Sequence, residues 1–162
     1  MKKVIMVLAL SVLLGSVIAH KVSDAPMPRR SLSPIESALV KVASNENVDP
    51  VILASICYYE SKFKPMAIHE NDGGSGSYGL CQIKLALAKS LGYKGSVNGL
   101  LDPTTNATFA AKALRYHMKK THGIEELIAA YNAGRVNRRN GVIRNITYVR
   151  NVQSNAKMFV GL

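Results

Sequence analysis

Beyond residue 32 the chain repeats one theme: apolar positions three and four residues apart, in runs opened by a cap and closed by a breaker. Ser33-Pro34-Ile35-Glu36 has the form of a capping box with proline at the first helical position, and predicts a helix to about Asn45. Asp49-Pro50 repeats that start and predicts a second helix to about Phe63, stopped ahead of Pro65. The glycine-rich stretch Asn71–Ser77 predicts an irregular loop, and Tyr78–Ile83 a short extended segment. Leu85–Leu91 predicts a short helix closed by Gly92. Asp102-Pro103 opens a long helix with the face Ala107, Ala110, Ala111, Leu114 and Met118, ended by Gly123. Ile124, Leu127, Ile128 and Tyr131 mark another, ended by Gly134, and Ile146, Val149, Val152, Ala156 and Val160 a last one. The expected class is mainly α: one helical domain with a small β element.

The first residues follow a different rule. Lys2 and Lys3 precede an apolar run, Val4–Leu14, and Val17 and Ala19 stand where a cleavage site needs small or apolar residues. This is the layout of a secretory signal peptide over residues 1–19. Val4–Ala19 is sixteen residues, short for an uncleaved anchor, so no stable membrane span is expected after cleavage. Residues 20–32, with Pro26, Pro28 and Arg29-Arg30, read as a linker, and residues 33–162 as the domain.

Composition sharpens this picture. The 162 residues suit one domain, and 48% apolar with 19% charged residues is a core-building balance. Twenty-one Lys and Arg against ten Asp and Glu predict an anionic neighbourhood. Two cysteines are too few for a disulfide-dense scaffold, and neither zinc-type spacing nor a GxxxxGK phosphate loop is present, so neither metal nor cofactor is expected. His69, Glu70 and Asp72 share no regular element and read as solvated loop residues.

Glu60 is the residue out of place. Ile52, Ile56 and Glu60 stand at i, i+4 and i+8, with Leu53 and Phe63 flanking the stripe, so a carboxylate occupies the face meant for the core. Desolvation there favours the protonated form, which suits a general acid; a buried Glu held by a structural partner is the alternative.

The neighbours of Glu60 carry a resemblance. Glu60-Ser61 is followed by Tyr78-Gly79-Leu80-Cys81-Gln82-Ile83, then by Leu100-Leu101-Asp102-Pro103 before an Ala-rich helix, and by Ala130-Tyr131-Asn132-Ala133-Gly134. In this order, over roughly residues 32–134, the chain resembles the soluble lytic transglycosylases, whose domain is lysozyme-like. The resemblance implies that Glu60 protonates the glycosidic oxygen between N-acetylmuramic acid and N-acetylglucosamine, then takes a proton from the muramic C6 hydroxyl. The sugar closes to a 1,6-anhydro end, with the 2-acetamido group replacing a carboxylate nucleophile. It also places Tyr78, Cys81, Gln82, Tyr131 and Asn132 along the substrate and has Tyr131 hydrogen-bond the catalytic Glu.

Each of these residues keeps a plainer alternative. Tyr131 would otherwise be a core tyrosine, Asn132 a helix-end cap and Gln82 a strand-end hydrogen bond. Cys81 stands where the family carries a Met that lines the cleft. Cys57, one turn before Glu60, and Cys81 read as two buried free thiols, bridge geometry being demanding; a disulfide tying the catalytic helix to the Tyr78–Ile83 stretch is the alternative. Of Tyr58 and Tyr59, one is expected in the core and the other against a sugar ring. Apart from Glu60, the central acids are Glu70 and Asp72, at the edge of the predicted loop and within it, which disfavours a two-carboxylate hydrolase.

After Gly134 come Arg135, Arg138, Arg139, Arg144, Arg150 and Lys157 and no acid. The segment does not interleave aromatics as a stacking surface would, and with an export signal nucleic acid is not expected; attraction to an anionic wall and a solvated helix face both fit. The expected partners are peptidoglycan glycan strands and a secretion, conjugation or phage-entry machine, the location periplasmic or cell-wall associated. A goose-type muramidase that hydrolyses the same bond is the enzymatic rival, and a silent wall-binding module the non-enzymatic one.

Overall fold

The computed structural model describes residues 31–73 and 75–162. The expected signal peptide and most of the expected linker lie outside the described residues. Helix α1 spans Pro34–Glu46, and its capping box forms in both directions: Glu36 N donates to Ser33 Oγ at 3.2 Å and Ser33 N to Glu36 Oε2 at 2.8 Å. Helix α2 spans Pro50–Ser61, its first turn held by Asp49 Oδ1 on the Val51 and Ile52 amides. It ends two residues before the expected Phe63, because Lys62 and Phe63 both turn left-handed at φ 55° and 61°.

The glycine-rich stretch is regular after all. Strand β1 (Ile68–Asp72) pairs antiparallel with β2 (Ser75–Tyr78), and β2 with β3 (Ile83–Lys84), in the order β1-β2-β3. Asp72 pairs with Ser75 across a turn entered by Gly73 at φ 59°, a hairpin where a loop was expected. Residues 74–79 spell GxGxxG, the lettering of a dinucleotide loop, but Ser75–Tyr78 within it is a strand of an antiparallel sheet and not the turn that opens a helix.

Helix α3 (Leu85–Ser90) and a 3₁₀ turn (Val97–Leu101) lead to α4 (Pro103–Met118), whose cap is Asp102 Oδ1 on the Thr105 amide at 2.7 Å. Helix α5 spans Ile124–Ala133 and α6 Ile146–Ala156, with an unexpected hairpin between them, β4 (Arg138–Arg139) and β5 (Val142–Ile143). Asn140 and Gly141 at φ 51° and 78° make the tight turn that such a hairpin requires.

Helix α4 packs against α1, α2 and α5, and α2 against α6. Ala107, Ala110 and Ala111 are fully buried, small enough to let neighbouring helices approach closely. Met118 and Val160, expected on the core stripes, are exposed: Met118 is the last residue of α4, and Val160 lies beyond the end of α6 at Ala156.

The thiol reading is overturned: Cys57 and Cys81 form a disulfide, which ties α2 to the β2–β3 connection. The same connection is held by Asn106, a fully buried polar residue of α4. Its Oδ1 accepts from the Cys81 amide at 2.7 Å, and its Nδ2 donates to the carbonyls of Tyr78 and Leu100, each at 2.7 Å. Gly79 lets that clamp close: at φ 76°, an added Cβ would collide with both Asn106 Nδ2 and the Leu100 carbonyl. No helix among the described residues is long and apolar enough to cross a membrane.

Candidate active site

Three backbone ends converge beside the small sheet. The last turn of α2 carries Glu60, the β2–β3 connection carries Gln82, and the last turn of α5 carries Tyr131 and Asn132. Ser61 joins the first two: its hydroxyl donates to the Leu80 carbonyl at 2.6 Å and accepts from the Lys64 amide at 3.0 Å. Beside the disulfide, it is a second tie between the helix that bears the acid and the strand connection facing it.

Glu60 stands at the junction of two hollows. The larger, of about 620 Å³, runs past Tyr131 and Asn132 towards Leu87, Tyr116 and His117. The smaller, of about 410 Å³, runs past Ser77, His69 and Glu70. Glu60, Gln82 and Asn132 line both, so the carboxyl sits where the hollows meet. Glu60 is half-buried, not sealed in the core as the helical stripe alone implies.

The hydrogen bond to the acid comes from a residue that the sequence pattern does not single out. Tyr148, on α6, donates its hydroxyl to Glu60 Oε1 at 2.7 Å, and Tyr59 packs edge-on against its ring with centroids 4.9 Å apart. Burial, then the charge and hydrogen bond of Glu60, push the Tyr148 phenol far above its ordinary pKa, so it remains a donor. Tyr131, expected in this role, instead donates its single proton to the Cys81 carbonyl at 2.9 Å. Burial first, and the neighbouring Glu60 second, hold its phenol well above the ordinary range too.

Tyr59 packs on Tyr148 but lines neither hollow, while Tyr58 packs edge-on against Phe63 and Phe159. Tyr148 was legible only as a neighbour of Val149 and Val152 on the α6 stripe, where a buried phenol needs a partner.

Gln82 adopts φ 52° and places its amide nitrogen on the carbonyls of Gly79 at 2.8 Å and Ala67 at 3.2 Å. Its Oε1 meets His69 Nδ1 at 2.6 Å, which assigns that ring nitrogen as the donor. Gln82 therefore shapes the connection and the hairpin, and its nitrogen is committed to backbone. Asn132 is exposed, its Oδ1 accepting from Asn145 Nδ2 at 3.0 Å. Tyr78 and Cys81 line neither hollow; Cys81 is fully buried in the bridge, so its side chain cannot take the place of the family's Met in the cleft.

His117, almost fully buried in the groove wall, has its imidazole pKa lowered by burial and, less, by Lys120. Among the described residues no three His, Cys, Asp or Glu side chains gather as metal ligands. In the basic end, Arg138 is a fastener. It bonds Glu126 at 2.7 Å and the Gly141 carbonyl at 2.7 Å, holding the β4–β5 hairpin to α5. Glu126 is pulled below the usual carboxylate range by the His122 amide first and Arg138 second.

A mainly helical domain whose groove is centred on one helix-end carboxyl, with a small sheet alongside, is a lysozyme-like architecture. The fold recurs in an inactive mutant of the lytic transglycosylase Slt from Pseudomonas aeruginosa, with a TM-score of 0.63 and 23% identity over 76% of this chain and 23% of that one. The transglycosylase of Enterobacteria phage PRD1 is 30% identical over 115 residues, 71% of this chain and 40% of that protein. The invasion protein IagB of Salmonella typhimurium is 30% identical over 118 residues, 72% of each chain. This chain therefore spans well under half the length of the phage relative. Residues 37–153 match the transglycosylase SLT domain model, and the chain belongs to that family.

Proposed function

We propose that this protein is an exported lytic transglycosylase that opens peptidoglycan between N-acetylmuramic acid and N-acetylglucosamine, with Glu60 as acid and then base. The observation that carries the reading is the position of the Glu60 carboxyl where the two hollows meet, hydrogen-bonded to Tyr148. A glycan strand crossing that junction would present one linkage to Glu60, with sugars extending into the hollow on either side.

The reaction balances without water. Glu60 gives its proton to the linking oxygen as the bond from the muramic C1 breaks, while the 2-acetamido oxygen holds C1. The resulting carboxylate then takes the proton of the C6 hydroxyl, whose oxygen attacks C1 and closes the 1,6-anhydro ring. Tyr148 fixes the carboxyl through both stages, since its neutral phenol donates to either protonation state. Tyr131 and Asn132 line the glycan path, and Gln82 shapes it; Tyr78 and Cys81 act from behind the wall, through the backbone carbonyls that Asn106 and Tyr131 hold.

Residues 1–19 direct export. The partner machinery is an assembly that must cross the wall, a reading supported by the phage transglycosylase and the invasion protein among the relatives. One observation favours hydrolysis as a second reading: Glu70, an exposed carboxylate, lines the smaller hollow with Glu60.

Mass spectrometry of digested wall separates the readings. Anhydro ends with wild type and none with Glu60→Gln support the transglycosylase. Reducing ends that also vanish in Glu70→Gln support hydrolysis, and glycan binding without release, whether residue 60 is Glu or Gln, marks a silent module.

A further inference from the structure

A third hollow, of about 220 Å³, lies on the outer side of α4, lined by Leu91, Lys112, Arg115, Tyr116 and Lys119. Leu91 and Tyr116 also line the larger hollow beside Glu60, so the two cavities share a wall. Its other three lining residues are all cations, and no carboxylate lines it. Lys112, Arg115 and Lys119 stand at i, i+3 and i+7, on one face of α4, where like charges repel. One of them is answered: Arg115 pairs with Glu46 at 3.1 Å. Lys112 lies 4.9 Å from the Phe109 ring centroid, Lys119 is exposed, and Lys120 adds a further cation over the Tyr116 ring, 3.9 Å from its centroid. The groove itself is lined mostly by neutral groups, so the basic character is concentrated to one side of it.

We propose that this cationic hollow binds the carboxylates of the peptide stems that project from a glycan strand lying in the groove. The proposal rests on the reading that the groove holds peptidoglycan. The sugar backbone of that polymer is uncharged, whereas the stems carry free carboxylates and leave the strand sideways from its muramoyl residues. A site for them belongs beside the groove, across a divider such as Leu91 and Tyr116, and its chemistry is that of ammonium and guanidinium groups facing carboxylate. The hollow would then set substrate preference, favouring strands that still bear stems over strands stripped of them.

The test compares kcat/KM of the full protein on intact peptidoglycan and on glycan freed of stems by an amidase, with the lactyl carboxylates that the amidase exposes capped as methylamides so that the stripped strand is uncharged. Wild type is expected to favour the stem-bearing polymer. Lys112→Gln/Lys119→Gln, which leaves the Arg115–Glu46 pair in place, is expected to lose about five- to tenfold on stem-bearing substrate and little on stem-free strands. Arg150→Gln/Lys157→Gln removes the same charge from α6 and its end, and is expected to keep the wild-type preference. Equal wild-type rates on both substrates, a uniform loss in the α4 variant, or the same selective loss in the α6 variant would each overturn the proposal. Absence of turnover by wild type on either polymer would instead strike the catalytic reading on which it rests.

Discussion

The Tyr148 hydroxyl and the Glu60 carboxyl, 88 positions apart in the chain, meet at 2.7 Å. That contact joins the last turn of α2 to α6, two helices that pack along one another, and holds the acid by one oxygen.

Tyr148→Phe tests it. The ring and its packing on Tyr59 are kept while the donor is lost, so the variant is expected to fold and to lose about ten- to a hundredfold in kcat with KM less affected. A donor to a carboxylate favours its charged form, so the phenol's loss raises the Glu60 pKa and moves the corresponding limb of the pH–rate profile upward. A purely structural tyrosine would leave that profile where it was.

Asn106→Ala strands the Cys81 amide and the Tyr78 and Leu100 carbonyls inside the protein. The expected cost is about 3 kcal/mol, read by urea denaturation. Gly79→Ala attacks the same clamp from the other side, by a clash and a left-handed backbone, and is expected to be comparably destabilising.

The Cys57–Cys81 bridge closes a loop with a sequence separation of 24. Cys57→Ser/Cys81→Ser is expected to lower stability by about 3 kcal/mol, and a reductant to lower the melting temperature of wild type but not of the variant.

His117 links stability to pH. Its folded pKa lies below its ordinary value, chiefly through burial, so its contribution is complete above the unfolded pKa and is lost as pH falls through and below it. Melting temperature should therefore drop on acidification from neutrality. His117→Gln is expected to flatten that part of the curve; an unchanged slope would count against the buried imidazole.

Much of this architecture was legible because it is local. Ser33, Asp49 and Asp102 each announced a helix start through a cap and a following proline, and those starts stand where the sequence placed them. Asp72-Gly73-Gly74 and Asn140-Gly141 were equally local hairpin signals, but short strands with few alternating apolar residues gave them nothing to flank. The candidate site was only half legible. Glu60 stood out as a polar residue on an apolar stripe, whereas Tyr148 reaches it from another helix and Asn106 serves backbone groups whose isolation no periodicity reveals. Cys57 and Cys81 could be counted but not paired, since pairing depends on where α2 and the β2–β3 connection come to rest.

The link between those two sulfurs also imposes an order of events on the molecule's life. Bonds of this kind form and last where the surroundings are oxidising. A newly made chain kept among reducing thiols would carry its acid-bearing helix and the facing strand connection covalently unjoined. The finished arrangement would wait for oxidising surroundings, and a reducing compartment would hold only an unlinked version of it.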